Sequence, residues 1–536
     1  MVATRSSRSR LRSSPGRRSS TSSCASSAGC SKRPGRRSST EAVACDADWR
    51  LGRLCRRSRI NPSLVGRSRL SPGAVSRTPW WLDEAPRLEP EPPLEGELDV
   101  DVAIVGGGYT GLWTALSVRE LEPSARVAVL ETGLCGEGPS GRNGGFLHGY
   151  WPLLARARRT FGDDGALAVA QAASAIVPAV RDFVERRGLD VWLREAPMLE
   201  VSAAPVQDEA VAAAVAAAHE LGVEEEAVPL GREELARRCA SPRFRRGVLY
   251  REGATVQPGR LVRALREVAL DEGVVLHERT PMLRLRRGSP NLLETPDGRV
   301  RAREVVVAIN AAAAGWRPLA RRLTVFGSFV VLTEPVPELL ERIAWTGGES
   351  IVDARMFLHY FRTTNDDRVL MGSGSGPIGF GGRIGERFSS DGPSVARAEA
   401  GLRFLLPELA EARVERAWGG PIDVSADGFP FFGTVPGSRV HYGAGYSGNG
   451  VGPSWLGGQI LARLALGIED GLTALPLVNR GVRPLPPEPL KRLGGGVVRA
   501  AALRVEEAEQ AGRRPALPFR GIAALPRLIG LRIGTR

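Results

Sequence analysis

The sequence predicts an α/β fold in which a parallel, Rossmann-type sheet is interrupted by an inserted antiparallel-sheet α+β domain. First, an apolar run over 100–105 ends in three glycines and passes at once into a helical pattern. Second, strand-like and helix-like patterns alternate as far as about residue 310, which is typical of βαβ units. Third, residues 320–415 change to short strands separated by turns, a pattern typical of antiparallel sheet.

The individual elements follow from the period of the apolar residues. The first strand leads to a helix from Thr110 to Leu121, and a second strand, Ala125–Glu131, follows it. The remaining elements are alanine-rich helices around 167–187 and 206–221, a strand-helix-strand unit over 259–278, a buried strand ending at Asn310, and a strand, glycine loop and helix over 439–467.

The glycines after the first strand have the spacing of a dinucleotide-binding turn. With 64 Gly among 536 residues, G-x-G-x-x-G arises by chance about 0.9 times, so the spacing alone proves nothing. Here, however, Gly106 ends a strand, Gly108 leaves space for a pyrophosphate, and Gly111 lets the helix pack on the strand. Glu131 ends the next strand, where a carboxylate accepts the hydroxyls of an adenosine ribose. This context predicts a bound dinucleotide, either FAD or NAD.

A second loop of small residues, "GPSGRNGGF" at 138–146, favours the longer of these two cofactors. Ser140, Arg142 and Asn143 supply hydroxyl, guanidinium and amide donors beside the permissive backbone of Gly144. FAD has a second phosphate and a ribityl chain for such a loop to hold, whereas NAD needs no loop there. We therefore predict FAD, with an NAD-dependent dehydrogenase as the alternative.

A third glycine cluster, "HYGAGYSGNGVG" at 441–452, reads as a strand end and loop before a helix. Backbone N–H groups in this loop would face the N1–C2=O edge of a flavin, where negative charge gathers when the ring is reduced. The residues expected to do this are Ser447 to Val451, among which Gly448, Asn449, Gly450 and Val451 are the predicted cofactor-binding residues.

Together these motifs resemble the family of FAD-dependent amine and amino-acid oxidoreductases that includes D-amino acid oxidase and glycine oxidase. The resemblance covers about 98–475 and rests on "VAIVGGGYTGL", "GPSGRNGG", "GATVQPGRLVRAL", "VVVAINAAA", "YFRTT" and "GYSGNGVG". The SGRNGG form is most similar to the γ-glutamylputrescine oxidoreductase branch. The resemblance implies a glutathione-reductase-like FAD-binding domain, with Met282 on a strand that contacts adenine and Ala311 at a strand end beside the cofactor. Asn449 departs from the family, whose members often carry His there.

Composition, residue pattern and the resemblance together predict how the chain divides. The expected parts are a disordered leader over 1–77, a discontinuous FAD-binding domain over 98–165, 250–318 and 416–475, a substrate domain over 166–249 and 319–415, and a C-terminal tail with an amphipathic helix over 476–536.

Substrate contacts are expected from two strands. In "LHYFRTT", Leu358, Tyr360 and Arg362 share one face of a strand. Arg362 is then placed to bind a substrate carboxylate, with a structural ion pair as its alternative role, and Tyr360 is placed to contact the amine. By the same family likeness, Trp418 in "AWGGPIDVS" either lines the cavity or packs in the core.

The activity implied by the resemblance is oxidation of a C–N bond by hydride transfer to non-covalently bound FAD. The expected substrates are a γ-glutamylputrescine-like amine, an N-methyl amino acid or a D-amino acid. The sarcosine-oxidase branch uses a lysine above the flavin to activate oxygen, and the only lysines here are Lys32 and Lys491. Either oxygen or another acceptor is therefore expected to take the electrons.

The net charge of +14 comes from the start of the chain. Residues 1–80 hold 18 Lys+Arg and 3 Asp+Glu, which gives 18 − 3 = +15 and leaves the remainder near neutral at 14 − 15 = −1. An untranslated upstream region is favoured for this Arg- and Ser-rich leader, over a nucleic-acid-binding arm or a targeting peptide. Nucleic-acid binding through the leader is kept only as an alternative function.

Cysteine usage and hydropathy limit the remaining classes. Four of the six cysteines lie in the leader at spacings that match no metal site, and the body keeps only Cys135 and Cys239. This pattern predicts no bound metal, no disulfide framework and a reducing, cytoplasmic location. No apolar run approaches the ~20 residues of a transmembrane helix, so no membrane span is expected.

Overall fold

Two large β-sheets dominate the part of the chain that the computed structural model describes, which is residues 70–528 and 531 without residue 72. The strands there are β1 (Gly96–Val105), β2 (Val127–Leu130), β3 (Phe146–Leu147), β4 (Arg194–Glu195), β5 (Met198–Ser202), β6 (Val228–Leu230), β7 (Arg246–Tyr250), β8 (Ala254–Thr255), β9 (Val275–His277), β10 (Arg284–Arg286), β11 (Asn291–Glu294), β12 (Gly298–Val307), β13 (Leu323–Thr333), β14 (Ser350–Asp353), β15 (His359–Thr363), β16 (Val369–Ser373), β17 (Val414–Ser425), β18 (Phe431–Thr434) and β19 (Val440–Ala444).

Helices cover these sheets. They are α1 (Trp80–Glu84), α2 (Tyr109–Leu121), α3 (Leu154–Ser174), α4 (Ile176–Arg186), α5 (Asp208–Glu220), α6 (Arg232–Ala236), α7 (Pro258–Asp271), α8 (Pro337–Arg342), α9 (Gly392–Leu405), α10 (Pro453–Leu466), α11 (Leu490–Gln510) and α12 (Leu517–Leu528). The predicted first βαβ unit is found with its boundaries within two residues of the prediction, except that β1 begins four residues earlier than predicted, at Gly96.

The first sheet is parallel across five strands, in the order β9–β2–β1–β12–β19. Two antiparallel additions extend it, since the β10–β11 hairpin pairs with β12 and β18 pairs with β19. The strands are nearly continuous apolar runs, as expected for a parallel sheet covered on both faces. Val105, Leu130 and Val307 end side by side, so the loops that follow β1, β2 and β12 meet at one edge of the sheet.

The second sheet confirms the predicted insertion. Its order is β17–β13–β16–β15–β14–β5–β7–β6, and all neighbours are antiparallel except β14 and β5. The predicted boundary at residue 416 is wrong, because it falls inside β17. That strand pairs with β13 from Arg416 to Ser425, so the whole of β17 belongs to the inserted sheet.

One helical stretch, Trp151–Arg186, is long and apolar enough by length and composition to cross a membrane. In this fold it consists of two helices, α3 and α4, and α3 is kinked at Gly162, where φ is +76°. Ala166, Ala170 and Ile176 are fully buried in the main hydrophobic cluster. These contacts are those of core helices, and core helices of globular proteins pass the same compositional test.

The first described residues pack on β17 of the inserted sheet, and the C-terminal helices pack beside Phe326 of β13. Leu70 and Val75 form bridges with Val414 and Ala417 of β17, so residues that the leader was predicted to include pack on the inserted sheet. The rest of the predicted leader, residues 1–69 and 72, lies outside the described residues. At the other end, α11 and α12 pack on each other.

Candidate active site

The turn after β1 requires glycine for two separate reasons. Gly106 has a φ of +113°, and a Cβ there would lie 2.4 Å from the carbonyl oxygen of Ala308 at the end of β12. A Cβ on Gly111 would lie 1.9 Å from the carbonyl oxygen of Gly106, where the first turn of α2 crosses β1. Gly108 is the N-cap of α2. The turn therefore presents the amide-rich start of a helix at the sheet edge.

Glu131 lies next to this turn, as predicted. Its two carboxylate oxygens accept hydrogen bonds from the backbone amides of Gly107, at 2.7 Å, and Gly133, at 2.9 Å. Burial raises the pKa of Glu131, and these two hydrogen bonds oppose that rise. The carbonyl oxygen of Glu131 accepts from the amide of Thr280. Met282 follows two residues later, but in an extended segment before β10 and not on a strand, which corrects that expectation.

The second small-residue loop packs directly on the glycine turn. Ser140 Oγ accepts from the amide of Tyr109 at 2.9 Å and so caps α2. Asn143 holds the loop in shape, because its Nδ2 donates to the carbonyl of Ser140 and its Oδ1 accepts from the amide of Gly145. Arg142 donates to backbone carbonyls of Glu137, Arg77 and Gly419. These three contacts make Arg142 a positioning residue that joins the loop to β17.

A cavity of about 960 Å³ opens beyond this loop. The predicted residues that line it are Arg142, Asn143, Gly144, Tyr360, Gly448, Asn449, Gly450 and Val451. The structure thus brings together the second and third glycine clusters, which are about three hundred residues apart in sequence. C-terminal helices α11 and α12 contribute the outer wall, including Glu506, Glu509 and Arg520.

Tyr360 stands at the inner wall of the cavity. Its hydroxyl and Ser328 Oγ are 2.8 Å apart, and its ring meets Phe146 edge to face with centroids 5.7 Å apart. Burial raises the pKa of Tyr360 to about 12, so the hydroxyl keeps its proton. A neutral hydroxyl at this place can both donate and accept a hydrogen bond.

Arg362 and Trp418 do not line the cavity, which corrects the prediction that they contact the substrate; for Trp418 the alternative role, packing in the core, is the one found. Arg362 lies on the expected strand face, but Trp81 from α1 covers that end of the sheet. The Arg362 guanidinium lies 5.2 Å from the Trp81 ring and donates to the carbonyl of Val256, and burial lowers its pKa to about 9. Trp418 is fully buried against Trp81, and its Nε1 donates to the carbonyl of Arg142. From β17, the cavity receives Gly420 and Ile422 instead.

Asp423 on β17 supports the third glycine cluster from behind. Its carboxylate accepts from the amide of Gly445 and from Asn310 Nδ2, and its carbonyl accepts from the amide of Ser447. Burial raises the pKa of Asp423 to about 7. Ala311, predicted to border the cofactor, is buried beside this junction, where its amide donates to the side chain of Asn310.

The amide donors of this cluster are fewer than predicted. The amide of Ser447 is used by Asp423, and that of Asn449 donates to the carbonyl of Tyr446 at 2.9 Å. Within the described residues, Gly448, Gly450 and Val451 are left with amides that no protein group accepts. A ligand bound at this end of the cavity could therefore accept hydrogen bonds from three backbone amides of this irregular loop.

Two cavity residues were missed by the sequence reasoning. His148 is buried, its Nδ1 lies 2.9 Å from the carbonyl oxygen of Gly149, and burial lowers its pKa. Glu200 accepts from the Tyr250 hydroxyl at 3.0 Å, and burial raises its pKa to about 7. The available signal for Glu200 was a single carboxylate between the apolar residues of β5, and for His148 its place just after the second loop.

Glu200→Gln is expected to change how stability depends on pH. A carboxyl with a folded-state pKa near 7 and an ordinary unfolded value binds its proton more tightly when folded, so the wild type loses stability as the pH rises from about 4.5 to about 7. The amide keeps the acceptor for Tyr250 and removes this loss, which amounts to at most about 3 kcal/mol. Urea unfolding at several pH values measures it.

Glu209→Gln is the matched control, because Glu209 is exposed on the rim of the same cavity. Its unfolding curve should follow the wild type across the whole pH range. If the free energy of unfolding changes with pH in the same way for wild type and Glu200→Gln, the assignment of a protonated Glu200 in the folded cavity is contradicted.

Comparisons with known proteins agree with this geometry. The family model described as "DAO: FAD dependent oxidoreductase" matches residues 101–464. A probable oxidoreductase OrdL from Rhizobium meliloti is 28% identical over 420 residues, which are 77% of this chain and 92% of that protein. The γ-glutamylputrescine oxidoreductase of Escherichia coli is 27% identical over 401 residues, which are 74% of this chain and 90% of that protein.

Among solved structures, glycine oxidase from Geobacillus kaustophilus superposes with a TM-score of 0.60 at 23% identity. The match covers 72% of this chain and all of that one. It shows the shared fold, with the same combination of a parallel sheet and an inserted antiparallel sheet. The matched family region ends before α11, so the helices that form the outer wall of the cavity lie beyond it.

Proposed function

This chain belongs to the DAO family of FAD-dependent oxidoreductases, and we propose that it oxidises the C–N bond of a γ-glutamylputrescine-like amine, an N-methyl amino acid or a D-amino acid. The observation that carries the proposal is the meeting of two glycine loops and Tyr360 in one large cavity. Family membership decides between the two cofactors left open by the sequence, in favour of FAD over NAD.

The residues present fit FAD. A Cβ on Gly106 or Gly111 would overlap a backbone carbonyl, and one on Gly108 would lie 2.8 Å from Ser140 Oγ, so only glycines allow this tight turn at the start of α2, where a pyrophosphate would bind. The buried carboxylate of Glu131 suits the ribose at the adenosine end, and the cavity would take the other end of the molecule. Cys135 is the cysteine nearest the turn, with its Sγ in the space beside Gly107, and burial raises the pKa of its thiol. A protonated thiol at the adenosine end does not form a flavin bond, which supports non-covalent attachment.

When bound, FAD supplies an acceptor for a hydride. The protein orients the substrate relative to the flavin and supplies the electrostatic field around the flavin ring. The amides of Gly448, Gly450 and Val451, which no described protein group accepts, would be the donors to negative charge at the pyrimidine edge of the ring. Tyr360 and Phe146 form an aromatic wall that would hold the substrate amine beside the ring and exclude water.

His148 is suited to take the proton that an ammonium substrate must lose. Its lowered pKa keeps the imidazole neutral, and the contact with the carbonyl of Gly149 places the ring proton on Nδ1, which leaves Nε2 as the acceptor. The electron acceptor in the second half of the reaction is oxygen or another oxidant. Lys491 is not available to activate oxygen, because its Nζ donates to the carbonyls of Ala320 and Leu323 away from the cavity.

The test is anaerobic bleaching of the flavin absorbance by a panel of amines. We expect rapid bleaching by at least one of γ-glutamylputrescine, N-methyl amino acids and D-amino acids. Tyr360→Phe should slow bleaching by that substrate about tenfold, since it removes one hydrogen bond to the amine and keeps the ring. The flavin content should not change.

Tyr442→Phe is the matched control, because it removes a tyrosine hydroxyl that contacts Arg322 and does not line the cavity. It should bleach at the wild-type rate. If no amine in the panel reduces the flavin, the proposed reaction is wrong while the FAD assignment stands. If Tyr360→Phe behaves like Tyr442→Phe, the tyrosine has no role in binding the substrate.

A further inference from the structure

Helix α12 is apolar on two opposite sides. Ala523 and Pro526 face inward, and Ala523 packs in a buried cluster with Phe326 and Phe357. Leu517 and Leu528 face outward, with 76% and 79% of their surface exposed. The exposed positions 517, 521, 524, 525 and 528 follow the helical spacing i, i+4, i+7, i+8 and i+11. This outward stripe, Leu517, Gly521, Ala524, Leu525 and Leu528, is a continuous apolar surface with no described part of the protein against it.

Arginines border the stripe, and within the described residues none of them forms a salt bridge with an acid. Arg520 and Arg527 are one step around the helix from it, and Arg513 and Arg514 precede the helix. All four are exposed. The sequence contains no Asp or Glu after Glu509. A face of this kind combines an apolar stripe with a purely positive margin.

We propose that α12 docks this protein onto an anionic lipid surface. A helix with leucines on one face and arginines beside them lies in the plane of the bilayer interface, with the apolar side chains among the acyl chains and the guanidinium groups at the phosphates. Each arginine near such a surface raises partitioning roughly fivefold. A second protein would have to supply both an apolar groove and several carboxylates, whereas an anionic bilayer supplies both features everywhere.

Docking through α12 would also affect the active site, because residues of α12 line the cavity. Ala524 belongs to the outward stripe and also lines the cavity, as do Arg513, Arg520 and Arg527. A docked α12 therefore sets the outer opening of the cavity at the lipid surface.

The experiment is co-sedimentation of the flavin-containing full chain with vesicles of phosphatidylcholine alone or mixed with phosphatidylglycerol. We expect binding to the mixed vesicles and at least tenfold weaker binding to phosphatidylcholine alone. Leu517→Glu/Leu528→Glu should weaken binding to the mixed vesicles at least about thirtyfold, because it removes two inserted leucines and adds two repelled charges. Both positions are exposed, so the flavin content should not change.

Leu283→Glu/Ile384→Glu is the matched control, since it makes the same two-charge change at exposed apolar positions away from α12. Residues 1–69 are basic themselves, but both double variants keep them, so the difference between the variants reports on α12. Equal binding by the two variants, or no binding by the wild type, would overturn the proposal. So would a wild-type dimer that dissociates in Leu517→Glu/Leu528→Glu without vesicle binding, which would make the stripe an interface between copies.

Discussion

Gly106→Ala is expected to yield a colourless protein. The methyl group would sit 2.4 Å from the carbonyl oxygen of Ala308, and the φ of +113° at this position is one that L residues rarely adopt. Neighbouring strands of the parallel sheet are joined here, because the Gly106 amide donates to the carbonyl of Leu130 and the Ala308 amide donates to that of Val105. Relieving the overlap moves β1 away from β12 and closes the space for the pyrophosphate. Strain and overpacking together cost about 3 kcal/mol of stability.

The measurement is the ratio of flavin to protein absorbance after purification, followed by reconstitution with excess FAD. Gly138→Ala is the matched control, because Gly138 lies in the second loop with a φ of −72°, and a Cβ added there would have no atom within 4 Å. That variant should retain its flavin. A yellow Gly106→Ala protein would contradict the placement of the cofactor at this turn.

Local sequence predicts those parts of the site whose geometry is set within a few residues. The need for glycine at 111 is set by the nearby carbonyl of Gly106, and the strand β1 and helix α2 follow from local patterns, whereas the contact of Gly106 with Ala308 is long-range. The face that Tyr360 shares with Arg362 is equally local, since it follows from the two-residue period of a strand. For this reason the first βαβ unit and the orientation of β15 agree with the sequence reasoning.

How far a side chain on a strand face lies from the cavity depends on which residues pack against that face. Those residues can come from distant parts of the sequence. Arg362 faces the predicted side, yet it lies beyond the cavity because Trp81 packs over it, and Trp81 packs against Trp418 as well. The Trp81 Nε1 also donates to the carbonyl of Asn143, which ties α1 to the second loop. The partner that decides the roles of Arg362 and Trp418 is thus far from both in sequence.

The outer half of the cavity could not be predicted from the sequence for the same reason. The helical pattern of α11 is visible in the sequence, but nothing in the pattern says which surface it covers. Ala502 and Val505 of α11 line the cavity, opposite residues that the glycine motifs identify. Only the long-range packing of the tail on Phe326 and Phe357 reveals that the site extends beyond the family region.

Asp423→Ala is expected to weaken FAD binding at least about thirtyfold without a direct contact being lost. The substitution removes the acceptor of the buried Gly445 amide and of the half-buried Asn310 Nδ2, and a buried donor without an acceptor costs about 1–3 kcal/mol. The loop relieves this cost by moving toward water, which carries Gly448 and Val451 away from their positions at the cavity wall. FAD affinity measured by fluorescence titration and thermal unfolding of the flavin-free protein together report both effects.

Asp182→Ala separates this loop effect from general loss of a carboxylate. Asp182 is 56% exposed and pairs with Arg181 on the surface of α4, where an ion pair contributes at most about 1 kcal/mol. Asp423→Asn adds a second comparison, because its amide keeps one acceptor oxygen but sets an NH₂ group against the remaining donor. FAD affinity should therefore fall in the order Asp182→Ala, Asp423→Asn, Asp423→Ala. If Asp423→Ala binds FAD as tightly as Asp182→Ala, the Gly448–Val451 segment holds its shape without Asp423, and the carboxyl serves only the stability of the fold.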